Sequence, residues 1–402
     1  GQGHGHEKKQ EDMVYMDMLK ACAKEKDLCK GTKIHALISN KGFFKKNPYV
    51  ACCLINMYVQ CCAFDKAKDV IEKLPIQNVV IWNALISGYA KQGKGEEALQ
   101  CVQYMQHHGI SPDVVTFLCI LKACVSLSDV DKGKEIHDEI VRKGLLEKHI
   151  QLGNALVDMY AKCGALGKAW EVLIGLRVRN VVTWSALISG YVRHGHGEKA
   201  LHSYELMQLE GIHPNSVTFI CILQACGGIR SIEKGKEIHE KVVSRGLLKK
   251  DVMLGTALVD MYAKCNALDK AKQVLKQLPV RDVISWNAFI AGCVQHGRCH
   301  EAWSSFECME SEGLSPNAST FVCLLKACGA TGAIEEGIQI HEKIVGKGLL
   351  EKDIGLGNAL VDMYAKCGML SKAHELLEEL PVRSVVSWCA LISGHVQQGQ
   401  YD

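Results

Sequence analysis

Histidines at a fixed spacing are the first residues in this 402-residue sequence that could do chemistry. His35, His137, His239 and His341 stand 102 residues apart, and "HDE" at 137–139 matches the H-x-E half of a zinc deaminase signature. The other half, P-C-x-x-C, does not occur in the sequence, and neither does any C-x-x-C or H-E-x-x-H motif. Histidines repeated on one helix face are more often packing residues than ligands. We therefore predict no catalytic residue, no metal site, no cofactor and no enzyme activity in this chain.

Cysteines are the second candidates for chemistry, and they are periodic too. Eleven of the 20 cysteines fall into three series spaced by 102 residues: Cys22, Cys124, Cys226 and Cys328; Cys61, Cys163, Cys265 and Cys367; and Cys119, Cys221 and Cys323. All three series lie on apolar faces of predicted helices, where a free cysteine behaves as a small hydrophobic residue. We therefore predict buried, reduced thiols and a reducing compartment.

An internal repeat positions these residues. The segment "NALVDMYAKCGAL" at 154–166 returns at 257–268 and 358–370, and a divergent copy stands at 53–64. The 102-residue period divides into units of 36, 31 and 35 residues. The 36-residue units are 12–47, 114–149, 216–251 and 318–353; the 31-residue units are 48–78, 150–180, 252–282 and 354–384; the 35-residue units are 79–113, 181–215 and 283–317, with a partial one at 385–402. We expect residues 1–11 to be a solvated N-terminal tail and the array to continue beyond residue 402.

Each unit carries the pattern of two short helices. In the unit 79–113, apolar residues at steps of three and four predict helices from about Ile81 to Gln92 and from about Gly95 to His108, each followed by glycine. Asn266 replaces the corresponding glycine in one unit, as expected for a left-handed helix stop, whereas Cys62 predicts a less regular turn. Helix pairs this short can bury their apolar faces only against neighbours. The fold class predicted is an all-α, right-handed solenoid of helix-turn-helix repeats.

Composition agrees with a folded protein that does not enter a membrane. Hydrophobic residues make up 48% of the chain, and the net charge is only +3. No apolar run approaches the roughly 18–20 residues that a membrane helix requires, and no signal peptide opens the sequence. The small net charge neither requires nor excludes a polyanionic partner.

The repeat motifs resemble those of a known family. Units ending in "GISPD" or "GIHPN", "LLKACG" followed by "GKEIH" or a variant of it, and "NALVDMYAKCG" followed by "LPVRDVISWNA" are similar to pentatricopeptide repeats (PPR). The 36/31/35 alternation resembles the PLS subclass of plant organelles, in which the three lengths are called L, S and P, and the resemblance covers residues 12–402. It implies binding of single-stranded RNA, one base per repeat, in a mitochondrion or chloroplast. A transit peptide is absent from this chain.

The resemblance assigns base reading to the fifth and the last residue of each P- or S-type repeat. Asparagine offers a donor and an acceptor, serine and threonine a hydroxyl, and aspartate only acceptors, so different pairs complement different base edges. The implied pairs are Asn83 with Asp113, Asn154 with Asn180, Ser185 with Asn215, Thr256 with Asp282, Asn287 with Asn317 and Asn358 with Ser384. They predict the target U-x-Y-A-x-G-Y-x-C from 5′ to 3′, where Y is a pyrimidine and x is unread.

The second residue of each P-type repeat is implied to clamp the base, which gives Val80, Val182 and Ile284. The L-type repeats have Leu118, Ile220 and Val322 at the fifth position, and these cannot form hydrogen bonds. We expect these repeats to space the array rather than to read bases. The pair Cys52 and Asn78 departs from the family pattern, so no base is assigned to it.

Cations at the thirteenth position are candidates for phosphate contacts. They are Lys91, Lys162, Arg193, Lys264 and Lys366. Eight residues after the fifth position is little more than two helical turns, so both positions can border one groove. The alternative is a solvated cation that stabilises the end of its helix through the helix dipole.

The resemblance implies that this array is the specificity module of an organellar C-to-U RNA editing factor. The deaminase would then belong to a C-terminal part of the protein or to a partner, and editing cofactor proteins are further expected partners. Two alternatives stay open: an organellar RNA stabilisation or splicing factor using the same groove, and a helical-repeat scaffold that binds proteins. Asn and Asp before helices are also ordinary N-caps, so capping is an alternative explanation for the reading positions.

Overall fold

The computed structural model describes residues 3–42 and 47–399, and this part of the chain is helical without any strand. It forms two compact units, the first ending at His194 and the second beginning at Gly195. The helices of the first unit are α1 (Gly3–Glu25), α2 (Leu28–Asn40), α3 (Pro48–Gln60), α4 (Phe64–Lys73), α5 (Val79–Lys91), α6 (Gly95–His107), α7 (Val114–Leu127), α8 (Val130–Arg142), α9 (Ile150–Lys162), α10 (Leu166–Gly175) and α11 (Val181–Arg193).

The helices of the second unit are α12 (Gly197–Leu209), α13 (Ser216–Ile229), α14 (Ile232–Ser244), α15 (Val252–Lys264), α16 (Leu268–Gln277), α17 (Val283–Gln295), α18 (Cys299–Ser311), α19 (Ala318–Thr331), α20 (Ile334–Gly346), α21 (Ile354–Lys366), α22 (Leu370–Glu379) and α23 (Val385–Gln397). A 3₁₀ turn at Leu247–Lys249 precedes α15.

Within each unit, the odd-numbered helices form one layer. From α1 to α11, and again from α13 to α23, each odd helix packs against the next odd helix. Each even helix packs against those odd helices of its own unit that flank it in sequence. Every odd helix from α3 onward begins at the first residue of a predicted repeat. The predicted all-α fold of stacked helix pairs is thus confirmed.

The N-caps explain why the odd helices begin where they do. The last residue of each repeat is the N-cap of the next odd helix, and its side chain accepts a main-chain N–H bond at ten of the eleven odd helices from α3 onward. His149, before α9, is the exception, since it makes no side-chain cap. Six of these ends are full capping boxes, in which the third residue of the helix bonds back to the cap. A cap of this kind typically stabilises a helix by about 1 kcal/mol.

The turns between helices follow the predicted glycine positions, with one correction. Gly164 and Asn266 adopt positive φ angles of 82° and 58°. Cys62, for which the sequence predicted a less regular turn, has a φ of 57° and the same hydrogen bonds from the turn to the preceding helix. That prediction was wrong, because packing of α3 and α4 holds a cysteine in the left-handed conformation that asparagine and glycine adopt more readily.

The repeated segment forms the packing face that its sequence indicated. In α9, Leu156, Val157, Met159 and Tyr160 have no exposed surface, and α15 and α21 bury their copies equally. Each buried Tyr hydroxyl lies 2.6–2.9 Å from the Nδ1 of the periodic histidine on the preceding even helix, as in the pair His137 and Tyr160. Burial lowers the pKa of these histidines. They are therefore packing residues, as predicted, and the structure adds that each packs against a tyrosine.

Two sequence expectations differ from the structure in detail. Helix α1 begins at Gly3, so residues 3–11, expected to be a tail, extend the first helix. No proline interrupts this stretch, and it is rich in Glu, Lys and Gln, which favour helix. Each of the 20 cysteines is a free thiol, but only the first periodic series is fully buried. The series that begins at Cys61 is half-buried.

Candidate nucleic-acid interface

The predicted base-reading residues lie on the odd helices and at their N-caps. In the repeat 79–113, the Asn83 Nδ2 donates to the Asp113 Oδ1 over 2.9 Å. The corresponding amide of Asn287 donates to the Asn317 Oδ1, also over 2.9 Å. The structure thus brings the fifth and the last residue of these two repeats into direct contact, although 30 residues separate them in sequence.

The remaining pairs are arranged in other ways. The Ser384 Oγ donates to the Asn358 Oδ1 over 3.0 Å. Asn154 is linked to Asn180, the last residue of its repeat, by the hydroxyl of Thr183, which lies within hydrogen-bond distance of both side-chain oxygens. Ser185 is buried in the first unit, and Asn215 is exposed in the second, where it caps α13.

Thr256, a predicted reading residue of the second unit, bonds through its hydroxyl to its own helix. Its Oγ1 donates to the Val252 carbonyl over 3.2 Å. Thr256 and its partner Asp282 nevertheless line the same cavity of about 460 Å³, together with Met253 and Ile284. Asn287 and Asn317, the pair of the next repeat, line this cavity as well.

Buried hydroxyls at the third position of six repeats were missed by the sequence reasoning, and three of the six contact the fifth residue of the preceding repeat. They are Thr116, Thr183, Thr218, Ser285, Thr320 and Ser387, and each is fully buried. The Thr116 Oγ1 lies 2.6 Å from the Asn83 Oδ1, and the Thr320 Oγ1 lies 2.6 Å from the Asn287 Oδ1. The signal that could have found them is the capping-box pattern, Asn, Asp or Ser followed three residues later by Thr or Ser.

Asp113 is held in its ionised form by these neighbours. Burial opposes ionisation of its carboxyl, but hydrogen bonds from the Thr116 main chain and from the Asn83 and Thr116 side chains outweigh burial and lower the pKa. The carboxylate therefore only accepts hydrogen bonds near neutral pH, whereas Asn317 at the equivalent place also has an N–H group to donate.

The predicted clamp residues are exposed beside the reading pairs. Val80, Val182 and Ile284 are 61%, 54% and 63% exposed, although each is a large aliphatic side chain on a packed helix. A smaller cavity of about 230 Å³ in the first unit is lined by Asn154 and by Val182 of the next repeat. Exposed aliphatic residues also occupy the second position in other repeats: Val115, Val217, Met253 and Val386.

Three of the five candidate phosphate contacts are already paired with carboxylates. The Nζ of Lys162, Lys264 and Lys366 lies 2.8–2.9 Å from the carboxylate of the aspartate four residues earlier, which is Asp158, Asp260 or Asp362. Asp158 and Asp260 line the two cavities described above. Serine, not aspartate, stands four residues before Lys91 and Arg193. The two kinds of cation therefore differ in how much positive charge they leave for a polyanion.

Residues 3–42 and 47–399 contain neither a cluster of metal ligands nor a membrane-spanning helix. No group of three or more His, Cys, Asp or Glu side chains there could hold a metal ion. No helix in the same residues is long and apolar enough to cross a membrane.

Comparison with known families identifies the repeats. The model for the PPR repeat family matches residues 77–126, 179–228 and 281–330, and the model for the PPR repeat matches residues 115–145, 256–283, 319–349 and 358–385. Together these matches cover more than half of the chain.

Curated relatives from Arabidopsis thaliana are similar over nearly the whole chain. A chloroplastic pentatricopeptide repeat-containing protein is 33% identical over 96% of this chain, and a second chloroplastic one is 34% identical over 95%. A mitochondrial one is 33% identical over 97%. The chain spans only 62%, 47% and 56% of the length of these relatives.

Solved structures show the same fold. The crystal structure of the maize pentatricopeptide repeat protein PPR10 matches 97% of this chain and 57% of that one, with a TM-score of 0.78 and 18% identity. PPR10 in complex with an 18-nt psaJ RNA element matches 91% of this chain and 55% of that one, with a TM-score of 0.73 and 19% identity.

Proposed function

The chain belongs to the pentatricopeptide repeat family, and we propose that it binds single-stranded RNA sequence-specifically, one base per P- or S-type repeat. The observation that carries this proposal is the direct contact between fifth and last residues, as in Asn83 with Asp113 and Asn287 with Asn317. Polar groups from the first helix and the last residue of one repeat thus converge at one place, beside an exposed aliphatic side chain that can pack against a base face. The structure of the related fold in PPR10 with an RNA element supports the same ligand class.

The chemistry of each pair gives the base it would accept. Asn83 offers an N–H and Asp113 a carboxylate, which match a carbonyl oxygen and the N3–H of uracil. Asn317 in place of the carboxylate offers a second N–H, which suits a pyrimidine with adjacent acceptors. The carboxylate of Asp282 matches the two neighbouring N–H donors of guanine. The resulting target is U-x-Y-A-x-G-Y-x-C, with adenine assigned to Ser185 and Asn215 by family resemblance.

Binding assays with RNA probes test this function. A nonamer carrying the proposed target is expected to bind more tightly than nonamers changed at any one of its six assigned positions. Each wrong base is expected to weaken binding by about five- to a hundredfold, which is the usual range for bidentate base contacts. Equal affinity for every probe, or equal binding of duplex RNA, would contradict the proposal and favour a protein-binding scaffold.

The biological role we propose is the specificity module of an organellar C-to-U editing factor. The alternation of 36-, 31- and 35-residue repeats supports this role, and the chloroplastic and mitochondrial names of the relatives support an organelle. The chain would position a deaminase supplied by another part of the protein or by a partner. Disrupting the gene is expected to abolish C-to-U conversion at individual organellar cytidines. Unchanged editing with lost transcripts or retained introns would instead indicate a stabilisation or splicing factor.

A further inference from the structure

The buried hydroxyls at the third position of the repeats differ in what they contact. The hydroxyls of Thr116 and Thr320 lie 2.6 Å from the side-chain oxygen of the fifth residue in the preceding repeat, Asn83 or Asn287. The Ser285 hydroxyl instead donates to the main-chain oxygen of its own cap, Asp282, over 2.9 Å. The Ser387 hydroxyl does the same with its cap, Ser384, over 2.9 Å. Equivalent positions therefore divide into those whose hydroxyl contacts the fifth-position asparagine and those whose hydroxyl bonds to the main chain at the start of its own helix.

Hydrogen-bond donors and acceptors fix the direction of the Asn83 amide. The main-chain N–H of Thr116 donates to the Asp113 Oδ1 over 3.0 Å, so this oxygen is an acceptor. The Asn83 atom that lies 2.9 Å from the Asp113 Oδ1 must therefore be the amide nitrogen, because two oxygens at this distance would have no proton between them. The Asn83 oxygen is left pointing at the hydroxyl of Thr116, which lies 2.6 Å from it and 3.0 Å from the Asp113 Oδ1. The single hydroxyl proton goes to the Asn83 oxygen, because that contact is the shorter one and the Asp113 Oδ1 already accepts two N–H bonds.

The same chain of bonds fixes Asn287 in the second unit. The main-chain N–H of Thr320 donates to the Asn317 Oδ1 over 3.2 Å, and that oxygen in turn accepts from the Asn287 Nδ2. The Thr320 hydroxyl then donates to the Asn287 oxygen. In both repeats the side-chain oxygen of the fifth residue accepts the threonine hydroxyl. One of its two amide N–H groups donates to the last residue, and the other is not used within this network.

We propose that Thr116 and Thr320 are positioning residues for base recognition: each hydroxyl turns the fifth-position asparagine so that it presents a hydrogen-bond donor, and no acceptor, to RNA. This inference rests on the proposed function. The reading unit then consists of three residues from two repeats rather than two. Without the hydroxyl, the oxygen of the buried Asn83 would lack a hydrogen-bond partner, a costly state that the side chain avoids by rotating. The asparagine would then present its amide oxygen to the base in some molecules and its NH₂ group in others.

Thr116→Val tests the proposal because valine keeps the shape of threonine and removes only the hydroxyl. The readout is the preference of the full chain for U over C, measured by direct binding to nonamers that differ at the first target position. If the Thr116 hydroxyl holds the Asn83 amide in place, this preference should fall when the hydroxyl is removed. We expect the variant to lose about three- to tenfold of that preference, the equivalent of one net hydrogen bond. Preference at the Asn287 position should stay unchanged in the same variant, and Thr116→Ser should restore the lost preference.

Ser285→Ala is the matched control. It removes a hydroxyl that is equally buried and that accepts from the Asp282 N–H over 3.0 Å, but that makes no bond to Thr256. We expect preference at the Thr256 position to be unaffected. Full preference for U in a folded Thr116→Val variant would overturn the proposal, and so would an equal loss in Ser285→Ala. A wild-type chain without preference at the first position would instead refute the proposed base-reading function itself.

Discussion

The side chain at the end of a repeat can cap a helix and bind a neighbouring polar side chain through the same oxygen atom. The Asp113 Oδ1 caps α7 by accepting the Thr116 main-chain N–H, and it also accepts the Asn83 amide. Capping was the sequence-level alternative to base reading, and the structure shows the capping bonds directly. Base reading stays a proposal. The two roles are compatible, because a cap that holds its oxygen still also fixes the polar groups beside it.

Thr256→Asn is expected to change base preference at the sixth target position from G toward U. The new pair with Asp282 would copy the pair of Asn83 and Asp113, in which an amide N–H and a carboxylate face the base. Binding to nonamers with each of the four bases at that position measures the change. Retention of the G preference by the folded variant would show that Thr256 does not read the base.

Lys162→Ala is expected to weaken binding to all RNA probes about equally and to flatten the dependence on salt. It removes a cation and also leaves the Asp158 carboxylate in the groove without its partner, 2.9 Å away in the structure. Affinities measured from low to high salt with two or more probe sequences test this expectation. A loss confined to one base would contradict a phosphate role.

Asp158→Asn is the matched variant for the same ion pair. It frees Lys162 and removes a negative charge from the cavity that Asn154 lines. We therefore expect tighter binding and a steeper salt dependence, the opposite of Lys162→Ala. If neither variant changes affinity, the pair serves the helix alone, as exposed i to i+4 pairs usually do with about 0.3–0.5 kcal/mol.

Helices in this protein depend on close contacts between neighbouring odd helices. A Cβ added at Gly292 in α17 would lie 2.5 Å from the Ala263 Cβ in α15, too close for two carbon atoms. Gly190 in α11 approaches Ala161 in α9 in the same way, with 2.6 Å. Glycine is thus required here for packing of helices rather than for a turn.

Gly292→Ala is expected to lower the free energy of unfolding by about 1–3 kcal/mol, the usual cost of overpacking. Gly228→Ala in α13 is the control, because nothing lies within 4 Å of its added Cβ. It should leave stability unchanged or raise it by up to about 1 kcal/mol. Thermal or denaturant unfolding of the two variants measures the difference, and equal stability would disprove the close approach of α15 and α17.

The salt dependence of RNA binding tests the cations of the whole molecule together. If all five thirteenth-position cations alone released counterions, the logarithm of affinity would fall with the logarithm of salt with a slope of about −3.5. If the three aspartate-paired lysines contributed nothing, Lys91 and Arg193 would leave a slope of about −1.4. We expect a value between these two. A slope near zero would contradict phosphate binding by this layer of helices.

The sequence alone determined the repeat lengths, the helical class and the packing face of each repeat. These properties follow from local periodicity, helix caps and stop signals, which neighbouring residues carry within a few turns. Family resemblance pointed to the fifth and last positions. The regular turn at Cys62 was not predicted, because helix packing there outweighs the low preference of cysteine for the left-handed conformation.

Only the tertiary structure decided which polar groups meet. The bonds from Thr116 to Asn83 and from Thr320 to Asn287 join residues 33 positions apart, and burial forces each hydroxyl to find a partner. The sequence shows that a donor and an acceptor exist at these positions. It does not show which atom of the asparagine remains for a ligand, because that depends on the distances between neighbouring helices.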